Sequence, residues 1–168
     1  MTAHKRSEAD GIEPYDAFNC THTSLRRAGR QLTQLYDDAL APAGMTSSQA
    51  ALMGQIDALS ATADRAGPSL QMLSKRLAIQ ISALTHALRP LMRDGLVALV
   101  VDGSDRRIKR AVLTEKGRQQ TDLMYVLWRQ TNQRIEAVLG EGGTEQLRLL
   151  ANKVASPDFL AAFKDQED

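Results

Sequence analysis

Residues 72–117 read MLSKRLAIQISALTHALRPLMRDGLVALVVDGSDRRIKRAVLTEKG. Leu70, just before this stretch, and Leu73 and Leu77 within it recur at spacings of three and four, which lines one face of a short helix. After the tight connection Ala78-Ile79-Gln80, the residues Ile81, Leu84, Leu88 and Leu91 repeat the pattern. Gly95 is placed to stop this second helix, since glycine accepts the left-handed geometry of a helix C-terminus. Pro90 lies inside it; without an N–H it disturbs the bond to the His86 carbonyl, which predicts a kink or an early end. Leu96 to Val101 is apolar and rich in β-branched residues and reads as a strand. Asp102-Gly103-Ser104-Asp105 is turn chemistry, Ile108 to Leu113 is the returning strand, and Thr114 caps a new helix. The order is helix, turn, helix, then a hairpin carrying Asp105-Arg106-Arg107 at its tip. A helix that fits a major groove, beside a basic hairpin that reaches a minor groove, is suited to reading duplex DNA.

Charge points the same way. The 168-residue chain carries a net charge of only +1, yet residues 72–118 hold ten Lys or Arg against four acids, a local +6 that leaves −5 for the rest. A basic centre with acidic flanks is the electrostatic footprint of a nucleic-acid surface and implies salt-dependent binding.

These residues resemble the winged helix of the MarR family of bacterial transcription regulators. The likeness rests on Leu73-Ser74-Lys75-Arg76-Leu77, Ser82-Ala83-Leu84-Thr85, Leu88-Arg89-Pro90-Leu91, Asp94-Gly95-Leu96-Val97, and Asp105-Arg106-Arg107 ahead of Leu113-Thr114-Glu115-Lys116-Gly117. Leu25-Arg26-Arg27-Ala28 through Leu40-Ala41-Pro42-Ala43-Gly44-Met45-Thr46-Ser47-Ser48-Gln49 is similar to the family's first two helices. The likeness spans roughly residues 18–155, and the order and spacing of the motifs carry it.

The expected fold is mainly α with a small β-hairpin wing: a winged helix-turn-helix plus a helical dimerisation region. Residues 1–15 are expected to be a disordered arm, 46–115 the DNA-binding domain, and 16–45 with 116–168 the dimerisation region. Helix one is expected from about Asp16 to Leu40, with Leu25, Ala28, Leu32, Leu35, Tyr36 and Ala39 on one face before Pro42 and Gly44 end it. Thr46 and Gln49 form a capping box for helix two, and Ala63 to Pro68 reads as a loop. A long helix from Thr114 to about Leu139 carries Leu123, Leu127, Thr131, Ile135 and Val138. Thr144 is expected to cap the next helix, and Ser156-Pro157 to open a terminal one. In the family the first helix and the last two interlock with a second subunit, so the resemblance implies a homodimer. An apolar face on a peripheral helix also needs a partner.

A symmetric dimer presents two recognition helices to an imperfect palindrome in double-stranded DNA. Ser82, Ala83, Thr85, His86 and Arg89 occupy outward or N-terminal positions of the second helix, where hydroxyls can bond phosphate or base, Ala83 can pack on a thymine methyl, and Arg89 can pair with guanine or phosphate. His86 departs from the family, which commonly has arginine there; it is either a contact or a solvated residue. Asp105 and Arg107 match the family's Asp-x-Arg signature. The resemblance implies that one arginine, Arg107 or failing it Arg106, enters the minor groove while Asp105 orients it by a charge-assisted pair. Lys109 and Arg110 point to opposite sides of a strand, so only one of them faces DNA, and Lys109 is taken as that one.

The family is typically released from DNA by small aromatic or phenolic ligands, so a small-molecule effector is implied. His22 and Arg26, one turn apart, suit an anionic group and equally suit solvent. Met45, Met53, Met72 and Met92 suit an adaptable cavity and equally a core. Cys20 reads either as an inert thiol or as a redox switch near a helix N-terminus. A single cysteine, three histidines and no glycine-rich phosphate loop or metal-ligand spacing argue against an enzyme, a cofactor or a metal. No apolar run spans a bilayer and the N-terminus is polar, so no membrane association and a cytoplasmic location are expected. A helical interaction protein that has lost DNA binding is the remaining alternative, disfavoured by the basic wing.

Overall fold

The computed structural model describes residues 20–62 and 66–165. The expected arm over 1–15, the beginning of helix one before Cys20, and residues 63–65 of the expected loop lie outside them. The elements run α1 (Thr21–Leu40), α2 (Ser47–Thr62), α3 (Leu70–Leu77), α4 (Ile81–Arg93), β1 (Val97–Val101), β2 (Lys109–Leu113), α5 (Glu115–Leu139), α6 (Gly143–Val154) and α7 (Pro157–Lys164). A 3-10 turn, Ala41–Ala43, follows α1. Among the described residues, those up to Leu35 make one compact unit and those from Tyr36 onward another, so the boundary falls inside α1.

In the first unit every residue from Cys20 to Gln31 is exposed, including the apolar Leu25. The second unit starts with the foot of α1 and the cap of α2. Thr46 Oγ1 accepts from the Gln49 N–H at 3.3 Å while Gln49 Oε1 accepts from the Thr46 N–H at 3.0 Å, which is the reciprocal capping box expected. Asp37 adds an acceptor for the Ser47 N–H at 2.6 Å. The core gathers Met53 and Ile56 of α2, Leu73 of α3, Leu84, Leu88 and Leu91 of α4, Val97, Ala111 and Leu113 of the sheet, and Met124 of α5. Each fully buried leucine or isoleucine stabilises the fold by roughly 1.5–3 kcal/mol relative to exposure. Of the four methionines weighed for a cavity, Met45 and Met53 are core, Met92 packs against it, and Met72 is exposed.

The hairpin pairs antiparallel from Val97↔Leu113 to Val101↔Lys109. The segment before α3 joins it: Ser69 bridges Arg110, and the Ala111 N–H donates to Pro68 O at 2.9 Å. The wing is thereby stitched to the start of the helix-turn-helix.

Helix α5 is capped by Thr114, whose side chain accepts from the Gly117 N–H at 3.0 Å. A Cβ on Gly117 would stand 2.0 Å from the Leu96 carbonyl oxygen, so only glycine lets α5 start against the residue that leads into β1. That contact fixes the helix's rotation. Gly117, Thr121, Met124 and Thr131 turn inward, and the Thr121 and Thr131 hydroxyls donate to carbonyls one turn back, at 2.8 and 3.0 Å. Leu123 and Val138 of the expected apolar set consequently face out, Val138 at 86% exposure. Two tyrosines find polar partners beside α5: Tyr36 donates to Asn132 Oδ1, and Tyr125 to Asp57 Oδ2 at 3.0 Å.

Thr144 does not cap α6. The helix begins before Thr144, at Gly143, behind Gly142 in the left-handed region (φ 73°), and the Thr144 hydroxyl is buried without a hydrogen-bond partner among the described residues. A glycine that takes a positive φ freely ends the connection sooner than a side-chain cap can. Helix α7 opens at Ser156-Pro157 as expected, and Ser156 caps it by accepting from the Phe159 N–H at 3.1 Å. Leu149, Leu150, Leu160 and Phe163 of α6 and α7 are all more than half exposed. Among the described residues no helix is long and apolar enough to cross a membrane.

Candidate nucleic-acid interface

The turn between α3 and α4 is set by local hydrogen bonds. Ser69 caps α3 by accepting from the Met72 N–H, and Ala78 ends it in the left-handed region at φ 51°. The Ile79 N–H donates to Ser74 O at 3.1 Å, and the Ser74 hydroxyl returns a bond to Ile79 O at 2.7 Å. This pair of hydrogen bonds between the two residues fixes the direction in which α4 leaves.

Helix α4 has two unlike faces. Leu84, Leu88 and Leu91 are fully buried, while Ser82, Ala83, His86 and Arg89 are exposed. Ser82, His86 and Arg89 make no side-chain hydrogen bond or ion pair among the described residues, so their polar groups are available to a partner. Thr85 is half-buried and its hydroxyl donates to Ile81 O at 2.8 Å. That spends its hydrogen and leaves an acceptor suited to a base amino group rather than a donor for phosphate. Of the two outcomes expected at Pro90, a kink or an early end, the early end does not occur: α4 runs to Arg93. The proline removes one amide only, and beyond it the Asp94 N–H donates to Pro90 O at 2.9 Å and the Leu96 N–H to Leu91 O at 2.8 Å. Gly95 takes the left-handed conformation (φ 71°), as its position implied.

The wing tip is organised by two carboxylates. Asp105 holds Arg107 at both ends, with Nε–Oδ1 at 3.1 Å and Nη2–Oδ2 at 2.9 Å, and also accepts the Arg107 N–H at 2.9 Å. The Arg107 side chain is nonetheless 91% exposed, so its guanidinium is aimed but not consumed. The pair holds the Asp105 carboxyl below, and the Arg107 guanidinium above, their ordinary values. Arg106 and Lys109 are exposed and carry no such partner among the described residues. Arg107, Ile108 and Lys109 line a cleft of about 230 Å³ with Ser69, Leu70, Gln71 and Ile81, which places the wing's cations beside the first turns of α3 and α4.

Asp102 is the residue that sequence reasoning missed. It is buried, and its Oδ1 accepts from the Ser104 N–H at 2.8 Å, the Ser104 hydroxyl at 2.6 Å and the Asp105 N–H at 2.9 Å. Its Oδ2 pairs with Arg110 Nε. These donors, the Ser104 hydroxyl first, then the Asp105 amide and the Arg110 guanidinium, hold its carboxyl far below the usual carboxylate range. Arg110 also donates to Gly67 O at 2.8 Å. It is thus turned inward while Lys109 faces out, the division that strand alternation requires. The Asp-Gly-Ser-Asp composition marked a turn; nothing local marked its first carboxylate as buried.

The remaining candidates lie on α1. His22 and Arg26 are exposed and without side-chain partners among the described residues, and the shallow groove on that helix is lined by Ser24, Arg27, Ala28 and Gln31 instead. Cys20 is exposed, and the Thr23 and His22 backbone amides pull its thiol below the ordinary value.

No protein-family model matches the sequence, and no curated protein matches it; its likeness is to solved structures. The transcriptional regulator MosR of M. tuberculosis, solved in complex with DNA, is 33% identical over 79% of this chain and 92% of its own, with a TM-score of 0.67. The chain belongs to the MarR family. A mutant MarR of E. coli, complexed with operator DNA, matches this MarR-family chain at 20% identity over 86% of it and all of that chain, with a TM-score of 0.73. BpsR of Bordetella bronchiseptica, whose DNA binding is regulated by 6-hydroxynicotinic acid, matches at 22% identity over 86% and 99%, with a TM-score of 0.72. At these lower identities the likeness is one of fold, and it matches the winged helix-turn-helix described above.

Proposed function

We propose that this MarR-family chain is a cytoplasmic, homodimeric regulator of transcription that binds double-stranded DNA at an imperfect palindrome and represses until a small ligand releases it. The observation that carries the reading is the pairing of α4's exposed polar face with an exposed Arg107 that Asp105 already holds in position. A preorganised guanidinium loses little side-chain freedom on entering a narrow groove, where negative potential is concentrated. Ser82, Ala83, His86 and Arg89 supply the major-groove contacts, Thr85 an acceptor, and Arg106 and Lys109 phosphate contacts on either side of Arg107. The DNA complex of MosR, at 33% identity, supports the reading. The exposed apolar residues of α6 and α7 support a second copy as partner, since such patches are rarely left to water. Ligand control in BpsR supports an effector of the aromatic-acid class. Binding of this kind needs no catalytic group or cofactor.

The test is selection from a randomised duplex library. The expected result is enrichment of one sequence with two related half-sites about one helical turn apart. Failure to enrich any duplex would overturn the reading. A second version, in which oxidation rather than a ligand releases DNA, is favoured by the exposed position of Cys20 just before α1, where the Thr23 and His22 amides lower its thiol. Mild peroxide should then weaken binding by the natural chain and not by Cys20→Ser; equal responses exclude it.

A further inference from the structure

Arg110 belongs to the basic run that suggests DNA contact, yet its guanidinium faces the protein. One nitrogen pairs with Asp102 and another donates to Gly67 O at 2.8 Å. Gly67 lies three residues before α3, in the segment that pairs with β2. Asp102 in turn accepts the Asp105 N–H at 2.9 Å, and the Asp105 carboxylate grips Arg107. A continuous series of bonds therefore runs from the helix-turn-helix, through Arg110 and Asp102, to the exposed guanidinium at the wing tip. No other side-chain hydrogen bond among the described residues joins the wing to the segment before α3. A hairpin tip left to itself is among the least ordered parts of a fold. Here a buried carboxylate and a half-buried arginine tie it down, at the expense of a cation that would otherwise meet phosphate.

We propose that Asp102 and Arg110 are positioning residues: they lock the wing's angle to the helix-turn-helix so that Arg107 reaches the minor groove while α4 occupies the major groove. The role acts through Arg107 and rests on the DNA-binding reading above. Asp102→Asn keeps the size but loses the charge that holds Arg110. Arg110→Lys keeps the charge but cannot reach Asp102 and Gly67 O together.

A double-mutant cycle tests this, with the duplex enriched by the natural chain as probe and fluorescence anisotropy as readout. Asp102→Asn should weaken binding about ten-fold, and Arg107→Ala by a similar or larger factor, in line with the usual effect of losing one directed DNA contact. In the Arg107→Ala background, Asp102→Asn should weaken binding by less than about two-fold, because residues acting through one contact are not additive. Arg110→Lys should fall between the natural chain and Arg110→Met. Fully additive losses would mean that Asp102 supports the fold generally, and would overturn the proposal. A second readout needs no DNA: amide hydrogen exchange at Ser104 and Asp105 should accelerate in Asp102→Asn while the α4 amides keep their protection. Unchanged exchange at the tip would overturn the lock on its own, whereas failure of the natural chain to bind any duplex would overturn the regulatory reading and leave the exchange result to decide whether the lock exists.

Discussion

At the scale of single residues, the wing arginines divide by partner rather than by position. Arg107 is exposed and held by Asp105, Arg106 is exposed and unpaired among the described residues, and Arg110 is turned inward. Arg107→Ala should therefore weaken duplex binding by about ten- to hundred-fold with melting temperature and dimer unchanged, measured by anisotropy beside thermal denaturation. An Arg106→Ala loss larger than the Arg107→Ala loss would reverse the assignment. Tyr125 gives a prediction independent of DNA. Burial first, then its hydrogen bond to Asp57, raises its phenol from the ordinary 10 to about 12. The folded state thus holds this proton more tightly than the unfolded chain does. The associated stability is complete below pH 10 and is lost as pH rises from there through about 12. An absorbance titration of tyrosinate should show a phase near pH 12 that Tyr125→Phe removes; a phase at the ordinary value that disappears with Tyr125→Phe would contradict the burial argument.

At the scale of elements, the segments readable from the sequence are those whose signals are local. The three-and-four spacing of Leu84, Leu88 and Leu91 gave α4 its buried face, and Gly95 its end. The Thr46–Gln49 and Thr114 caps were legible because each bonds within three residues, and the opening of α7 because Pro157 suits a first helical turn. What was not legible depends on distant partners. The rotation of α5 follows from Gly117 meeting the Leu96 carbonyl, so Leu123 faces out and Met124 in. The wing's anchorage depends on Arg110 reaching Gly67, forty-three residues away in sequence. The start of α6 was misplaced because Gly142 could take a positive φ that composition alone does not fix. Gly117→Ala tests the α5 contact. A Cβ 2.0 Å from a carbonyl oxygen must push helix or strand aside, which should cost about 1–3 kcal/mol and lower the melting temperature by several degrees. A neutral substitution would mean that α5 does not rest on Leu96 at this point.

At the scale of the molecule, the charge distribution and the exposed apolar helices ask for two different partners. The basic stretch from residue 72 to 118 suits a polyanion, and the apolar residues of α6 and α7 suit a second copy. A charge placed in that apolar surface should separate the copies: Leu149→Glu is expected to sediment as a monomer and to bind duplex far more weakly, because two linked half-site contacts outweigh one. A dimer that persists in Leu149→Glu would move the interface elsewhere. The central claim is that the dimer grips DNA through this basic surface. It is tested most directly by titrating the enriched duplex with the natural chain at increasing salt and following anisotropy together with sedimentation. The account predicts saturation at one dimer per duplex and an affinity that falls linearly with salt on a logarithmic plot, as counterion release requires. Saturation by monomers, an affinity indifferent to salt, or no binding at low salt would contradict it.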